Sequence, residues 1–316
     1  MSFLKPNTKV KRNFDLFSGF AWYSPGVSGM FGLLLWLLAG MFLGGIATFL
    51  LRIFYSAETA TTYGILISYP LQFLPPMIYA SARSRRNALF EEGVALNSRN
   101  YGTNPFWLLA LLVVFATLLT AYLTDIVSYG TYLLTQRSPA MSSFYDSVMD
   151  IMKKMGGGPL WVSLLSVSVM APFFEEWLCR GEVLRGLLQK MRPGWAIVVS
   201  ALFFAVIHAN PWQAVPAFAL GCLFGYVYYK TGSLWLTILM HCANNTMAVI
   251  GMQLTPESEK ADMEYFIQIL GPQWYWLIFA ACALALILIL RVFWRIPLKG
   301  RSNCDPVPSG VLEPEA

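Results

Sequence analysis

Eight apolar runs, each close to the length a helix needs to cross a bilayer, govern what this 316-residue chain can become. A bilayer's hydrocarbon core takes about 20 helical residues to span. The runs fall near 28–51, 62–82, 104–130, 159–189, 195–211, 213–229, 233–252 and 271–292. Inside lipid every backbone N–H and C=O must be paired within the protein, and a helix does this along its own axis. Charged residues make up only 12% of the chain and apolar ones 57%, against about 25% charged in a soluble domain. The sequence therefore predicts an all-α, polytopic helical bundle in the cell membrane with about eight spans. Only the connections 135–158 and 253–270 are long enough to hold extra structure. The fourth run is unusual: its apolar part ends at Phe174, yet nothing stops a helix before Arg192-Pro193-Gly194.

Basic residues orient such a bundle, because Lys and Arg accumulate in cytoplasmic loops. With the N-terminus in the cytoplasm and eight alternating spans, all but five of the 22 Lys and Arg lie on the cytoplasmic side. Arg52, Arg137, Lys153, Lys154 and Lys260 face the other way, with the acidic loop PESEKADMEY. Seven or nine spans would scramble this division, so both termini are expected in the cytoplasm. The net charge of +5 thus reads as an insertion signal and gives no reason to expect nucleic acid as a partner. The opening MSFLKPNTKVKRNFDLF lacks the apolar core and small-residue site of a signal peptide. Neither end carries a lipidation motif. Cys179, Cys222, Cys242 and Cys282 lie in apolar runs and Cys304 in the tail, with no CxxC pair, so neither disulfides nor a thiolate metal site is expected. Three parts follow: residues 1–158 with three spans, a four-helix core over 159–252, and 253–316 with a loop, the last span and a tail.

The polar residues that break the apolar pattern are few. Glu175, Glu176 and Arg180 stand at the end of the fourth run, and the only two histidines, His208 and His241, lie in the fifth and seventh. Such groups are expensive at bilayer depth and mark function by default. His241 and Asn245 are four residues apart and share a helix face. Glu176 and Arg180 have the same spacing, with the acid first, the favourable order for an intrahelical pair. Glu175 is turned about 100° from Glu176 and needs a different partner. Counting about 1.5 Å per residue from the turn at Pro193 puts Glu175 about 27 Å and His208 about 22 Å deep. Counting from Gly232 puts His241 about 14 Å and Asn245 about 20 Å deep. Singly, each has a plainer reading: a solvated helix face, a hydrogen-bonded core histidine, an asparagine joining two helices. Together, at one depth, they predict a buried polar pocket.

Glu175-Glu176-Trp-Leu-Cys-Arg180, Phe204-Ala-Val-Ile-His208 and His241-Cys-Ala-Asn244-Asn245 resemble the ordered motifs EExxxR, FxxxH and HxxxN. These mark the CAAX protease and bacteriocin-processing family, the type II CAAX prenyl endopeptidase-like glutamic intramembrane proteases. The resemblance covers residues 159–252. It implies endoproteolysis of a membrane-associated protein or peptide, with or without a lipid on it, and no cofactor. It implies that Glu175 is the general base for a water also held by His208, and that His241 and Asn245 stabilise the oxyanion. Glu176 and Arg180 would support the cavity, with Phe204 packed beside it. Amide hydrolysis needs such a base within reach of water and donors aimed at the developing oxyanion. Two histidines and a glutamate are also a catalytic zinc set; the helical HExxH spacing is missing, and the resemblance implies a metal-free mechanism. Outside enzymes, the alternative is a non-proteolytic membrane scaffold or bacteriocin-immunity factor. A transporter comes third, since no repeat-related broken segments are present.

Overall fold

The computed structural model describes residues 23–87, 97, 99–156, 158–254 and 263–298. The N-terminal tail with Lys5, Lys9, Lys11 and Arg12, the loop with Lys260, and the tail with Lys299, Arg301 and Cys304 lie outside the described residues. Among those described there are ten helices and no strand. Each of the eight apolar runs is a helix: α1 (Val27–Phe54), α2 (Ala57–Asn87), α3 (Phe106–Thr135), α5 (Leu160–Leu188), α6 (Pro193–Ile207), α7 (Pro211–Thr231), α8 (Leu234–Leu254) and α10 (Pro272–Trp294). The two long connections hold α4 (Pro139–Gly156) and α9 (Met263–Leu270). The chain is an all-α, multi-pass membrane protein. By length and apolarity, α1, α3, α5, α8 and α10 each suffice to cross a membrane. The sixth helix, with 15 residues, rises only about 22 Å at 1.5 Å per residue.

Proline and glycine set the boundaries. Pro193, Pro211 and Pro272 open α6, α7 and α10, where the missing N–H has no helical acceptor to lose. Gly232 ends α7 at φ 60, a left-handed turn that costs glycine little. Gly40 and Gly44 form a GxxxG pattern on α1, and a side chain at Gly40 would collide with the carbonyl of Gln72 on α2. Pro76 deprives that same carbonyl of its i+4 donor, so the two backbones meet where α2 cannot complete its own ladder. Close approach through small residues is the usual adhesive between membrane helices, where lipid removes the hydrophobic drive.

The core lies around α5, which is buried along most of its length. Trp177, Leu178, Cys179, Val183, Leu184, Leu187 and Leu188 pack with Leu33 and Leu37 of α1, Phe73 of α2 and Phe204 of α6. A second cluster joins Leu109 and Val113 of α3 to Phe224 of α7, Met240 of α8 and Phe293 of α10. The long α5 is wound more widely, as π-helix, over Leu164–Met170 and Trp177–Leu184. Arg180 and Arg185, assigned above to the cytoplasmic side by charge counting, are both fully buried in this helix. Arg185 lies 3.6 Å from buried Glu182 and donates to the Gly181 and Tyr23 carbonyls, tying the segment before α1 to α5.

Candidate active site

Pro172 shapes the local backbone. In the wide stretch before it, the Ala171 N–H bonds the Ser166 carbonyl five residues back, so the next donor in the series should serve Val167. That donor belongs to Pro172, which has none. The Val167 carbonyl instead accepts from Asn245 Nδ2 of α8 at 2.8 Å. The wide turn and its cross-helix bond come directly before the helical turn Ala171–Glu176 that carries both glutamates.

Glu175 and Glu176 point to different neighbours, as their rotation requires. Glu176 is fully buried and its Oε1 accepts from Arg180 Nη1 at 2.6 Å and meets His241 Nδ1 at 3.0 Å. The Arg180 guanidinium lies between the rings of Phe204 (4.4 Å) and Phe224 (5.1 Å) and donates to the Gly221 carbonyl at 3.2 Å. The pair is thus hydrogen-bonded and stacked, while Glu176 Oε2 and Arg180 Nε have no hydrogen-bond partner among the described residues. Its consequence for the site is the fixed orientation of His241, whose Nδ1 is held and whose Nε2 faces Glu175.

Glu175 turns towards a cavity of about 650 Å³. Its Oε1 accepts a hydrogen bond from the Tyr69 hydroxyl of α2. Its Oε2 is buried and has no hydrogen-bond partner among the described residues, lying 3.9 Å from His208 Nε2 and 3.9 Å from His241 Nε2. That separation is too long for a direct hydrogen bond and suits a bridging water. His208 closes α6, with Nδ1 2.7 Å from the Phe204 carbonyl. With Nδ1–H as donor there, Nε2 keeps its lone pair towards Glu175. The next residue, Ala209, has φ 50, a conformation that costs a non-glycine residue about 1–2 kcal/mol. It delivers the chain to Asn210, which caps α7 by accepting from the Trp212 N–H at 3.0 Å.

Every residue assigned above to catalysis (Glu175, His208, His241 and Asn245) lines this one cavity, as does Phe204, while Glu176 and Arg180 lie outside the lining. Phe204 sits edge-on to both imidazoles, 4.7 Å from His208 and 5.4 Å from His241. Sequence reasoning missed Tyr69, the partner Glu175 needed, which is 106 residues away in the chain. The signal was faint: Tyr69 and Gln72 punctuate the proline-broken run ILISYPLQFLPP. The first 158 residues supply much of the remaining wall, through Leu37, Met41, Ile65, Phe73, Thr124 and Met152. Helix α4 packs against the start of α7, with Phe144 and Tyr145 on Trp212 (5.4 and 5.1 Å) and Met152 Sδ accepting from Asn210. Among the described residues no three His, Cys, Asp or Glu side chains come close enough to hold a metal ion.

Comparison with known proteins gives a family match to this core and a match to a curated relative. Residues 157–247 match the family described as type II CAAX prenyl endopeptidase Rce1-like. The chain is also 30% identical over 105 residues to the Bacillus subtilis (strain 168) protein described as "Putative membrane peptidase YdiL". That alignment covers 32% of this chain and 43% of the relative, so it spans less than half of either. No solved structure matches the chain. The family match, like the three motifs, concerns the central helices and leaves α1, α2 and α10 unmatched.

Proposed function

We propose that the chain is an intramembrane endopeptidase that hydrolyses a peptide bond of a membrane-associated protein or peptide with a water activated by Glu175. The observation that carries this reading is the open Oε2 of Glu175, buried, without a hydrogen-bond partner, and equidistant from two imidazole Nε2 atoms. The family match supports the reaction class. A water between Glu175 Oε2 and His208 Nε2 gives one hydrogen to each acceptor, which leaves an oxygen lone pair turned towards a substrate carbonyl. Attack forms the new C–O bond as the water's proton passes to Glu175. A His241 that has taken up a proton from bulk water before attack keeps Nδ1–H on Glu176, presents Nε2–H to the oxyanion and retains both protons through the turnover. Collapse breaks the C–N bond, and Glu175 returns its proton to the departing amine. Positioned acid–base groups supply about 10²–10⁴-fold in rate, and one oxyanion donor about 10²–10³-fold.

Asn245 has a different place in this scheme. One of its two Nδ2 hydrogens bonds Val167, and on that bond we assign Asn245 to holding the wide turn of α5, with the second hydrogen leaving the oxyanion role as the alternative. Tyr69 fixes the rotation of the Glu175 carboxylate. The test is release of a fragment from a membrane-embedded reporter by the purified protein in liposomes. Release that persists in strong chelator and falls at least about 100-fold in His208→Ala supports the reading. No release by the native protein would instead promote a scaffold or immunity role, and release lost to chelator and restored by zinc would make Glu175, His208 and His241 metal ligands.

A further inference from the structure

A second cavity, of about 630 Å³, lies between α3, α7 and α10. Helices α3 and α7 divide it from the active-site cavity: Thr120 and Leu223 border it, whereas their neighbours Ala121 and Phe224 border the space at Glu175. Ala219, Cys222, Leu223 and Tyr226 form its α7 wall, at spacings of three, four and seven residues that put them on one stripe. Leu286 and Ile287 begin its α10 wall, and Arg291 and Trp294 end it. Only 6% of the most apolar stretch of α10 is buried, so in a membrane this side of the bundle meets lipid.

The charge of this cavity is gathered at one end. Trp294 lies eight residues beyond Leu286, about 12 Å along a helix at 1.5 Å per residue. Buried Lys230, one turn past Tyr226, donates from Nζ to the Trp294 carbonyl at 3.1 Å and lies 5.8 Å from the Trp294 ring centroid. Helices α7 and α10 thus bring Lys230 and Arg291 to the same end. Arg291 is exposed, and among the lining residues it alone carries a charge. Thr120 spends its hydroxyl on the Ala116 carbonyl of its own helix at 2.8 Å. The result is a slot that is cationic at the end of a membrane helix and apolar towards the helix middle. We propose that it binds an anionic phospholipid, with an acyl chain along α7 and α10 and the phosphate at Arg291 and Lys230. A guanidinium pairs with phosphate by charge-assisted hydrogen bonds, and basic pockets between membrane helices hold anionic headgroups. A free anion would leave the apolar wall bare, and a zwitterionic headgroup would bring a cation of its own to Arg291. The cytoplasmic leaflet, which the basic residues predict for this end, is the one rich in anionic lipid.

The experiment needs no substrate and is independent of the endopeptidase reading. The purified protein is delipidated, placed in vesicles of equimolar phosphatidylglycerol and phosphatidylcholine with identical acyl chains, and released into detergent. Native mass spectrometry then counts the lipids retained by the native protein, Arg291→Gln, Arg291→Lys and Ala219→Phe. The native protein should keep one phosphatidylglycerol in preference to phosphatidylcholine by about tenfold or more. One basic residue near the surface adds about fivefold to the attraction of an anionic lipid, so Arg291→Gln should lower the preference by about that factor and Arg291→Lys should keep it. Ala219→Phe, which fills the apolar wall, should abolish retention of either lipid while the unfolding temperature in phosphatidylcholine stays at the native value. Equal retention of the two lipids, a preference that survives Arg291→Gln, or retention of a neutral or isoprenoid lipid in place of phosphatidylglycerol overturns the proposal.

Discussion

At Glu175 the two carboxylate oxygens have separate tasks, because Tyr69 occupies one and the other faces two imidazoles. A hydrogen bond to a charged group contributes about 1.5–3 kcal/mol, so Tyr69→Phe should slow reporter cleavage by roughly tenfold or more, with KM little changed. Rates equal to the native protein's would detach Tyr69 from the mechanism. Asn245→Ala separates joining from catalysis. It strips the part-buried Val167 carbonyl of its donor, and a lost hydrogen bond costs about 0.5–1.5 kcal/mol. Thermal unfolding in detergent should therefore drop while turnover stays within about tenfold. A fall of about 10²–10³ in turnover at unchanged stability would instead make Asn245 an oxyanion donor. Residues of this kind differ in how openly the sequence announces them. Glu175, Glu176, Arg180 and the two histidines stand out because ionisable groups in apolar helices are rare. Tyr69 does not: a tyrosine in such a run reads as an interfacial anchor.

At the scale of helices, the eight apolar runs were legible as helices, and among the described residues five of them are long and apolar enough to cross a membrane. The wide winding of α5 was not. Over seven or eight residues a π-helix and an α-helix expose nearly the same hydrophobic pattern, and Pro172 is the one local sign that the ladder must change. The contact of α1 with α2 carries a consequence for the site, since α2 holds Tyr69 and Gln72. A side chain at Gly40 meets the Gln72 carbonyl, whereas one at Gly45 meets nothing within 4 Å. Overpacking such a contact costs about 1–3 kcal/mol. Gly40→Leu should lower both the unfolding temperature and the cleavage rate, and Gly45→Leu should change neither. Equal behaviour of the two variants would show that α1 does not position α2.

Across the whole molecule, α5, α6 and α8 carry the motifs and, in the proposed reaction, the reacting groups, and the helices before them border the same space. Leu37 and Met41 of α1, Tyr69 of α2, Asp125 of α3 and Met152 of α4 border the same cavity as Glu175. In the proposed reaction the motifs account for the chemistry, and helices in which no motif is visible shape much of the space a substrate would enter. Hydrolysis by Glu175 is most directly tested in cells, by mapping the termini of membrane and secreted peptides from a strain with the native protein and one with Glu175→Gln at equal abundance. The exchange keeps the side chain's shape and removes the base. At least one peptide should carry a new terminus in the native strain that is missing from the variant strain, with its uncut precursor accumulating. Identical termini in the two strains, with the native protein present and inserted, would contradict the account.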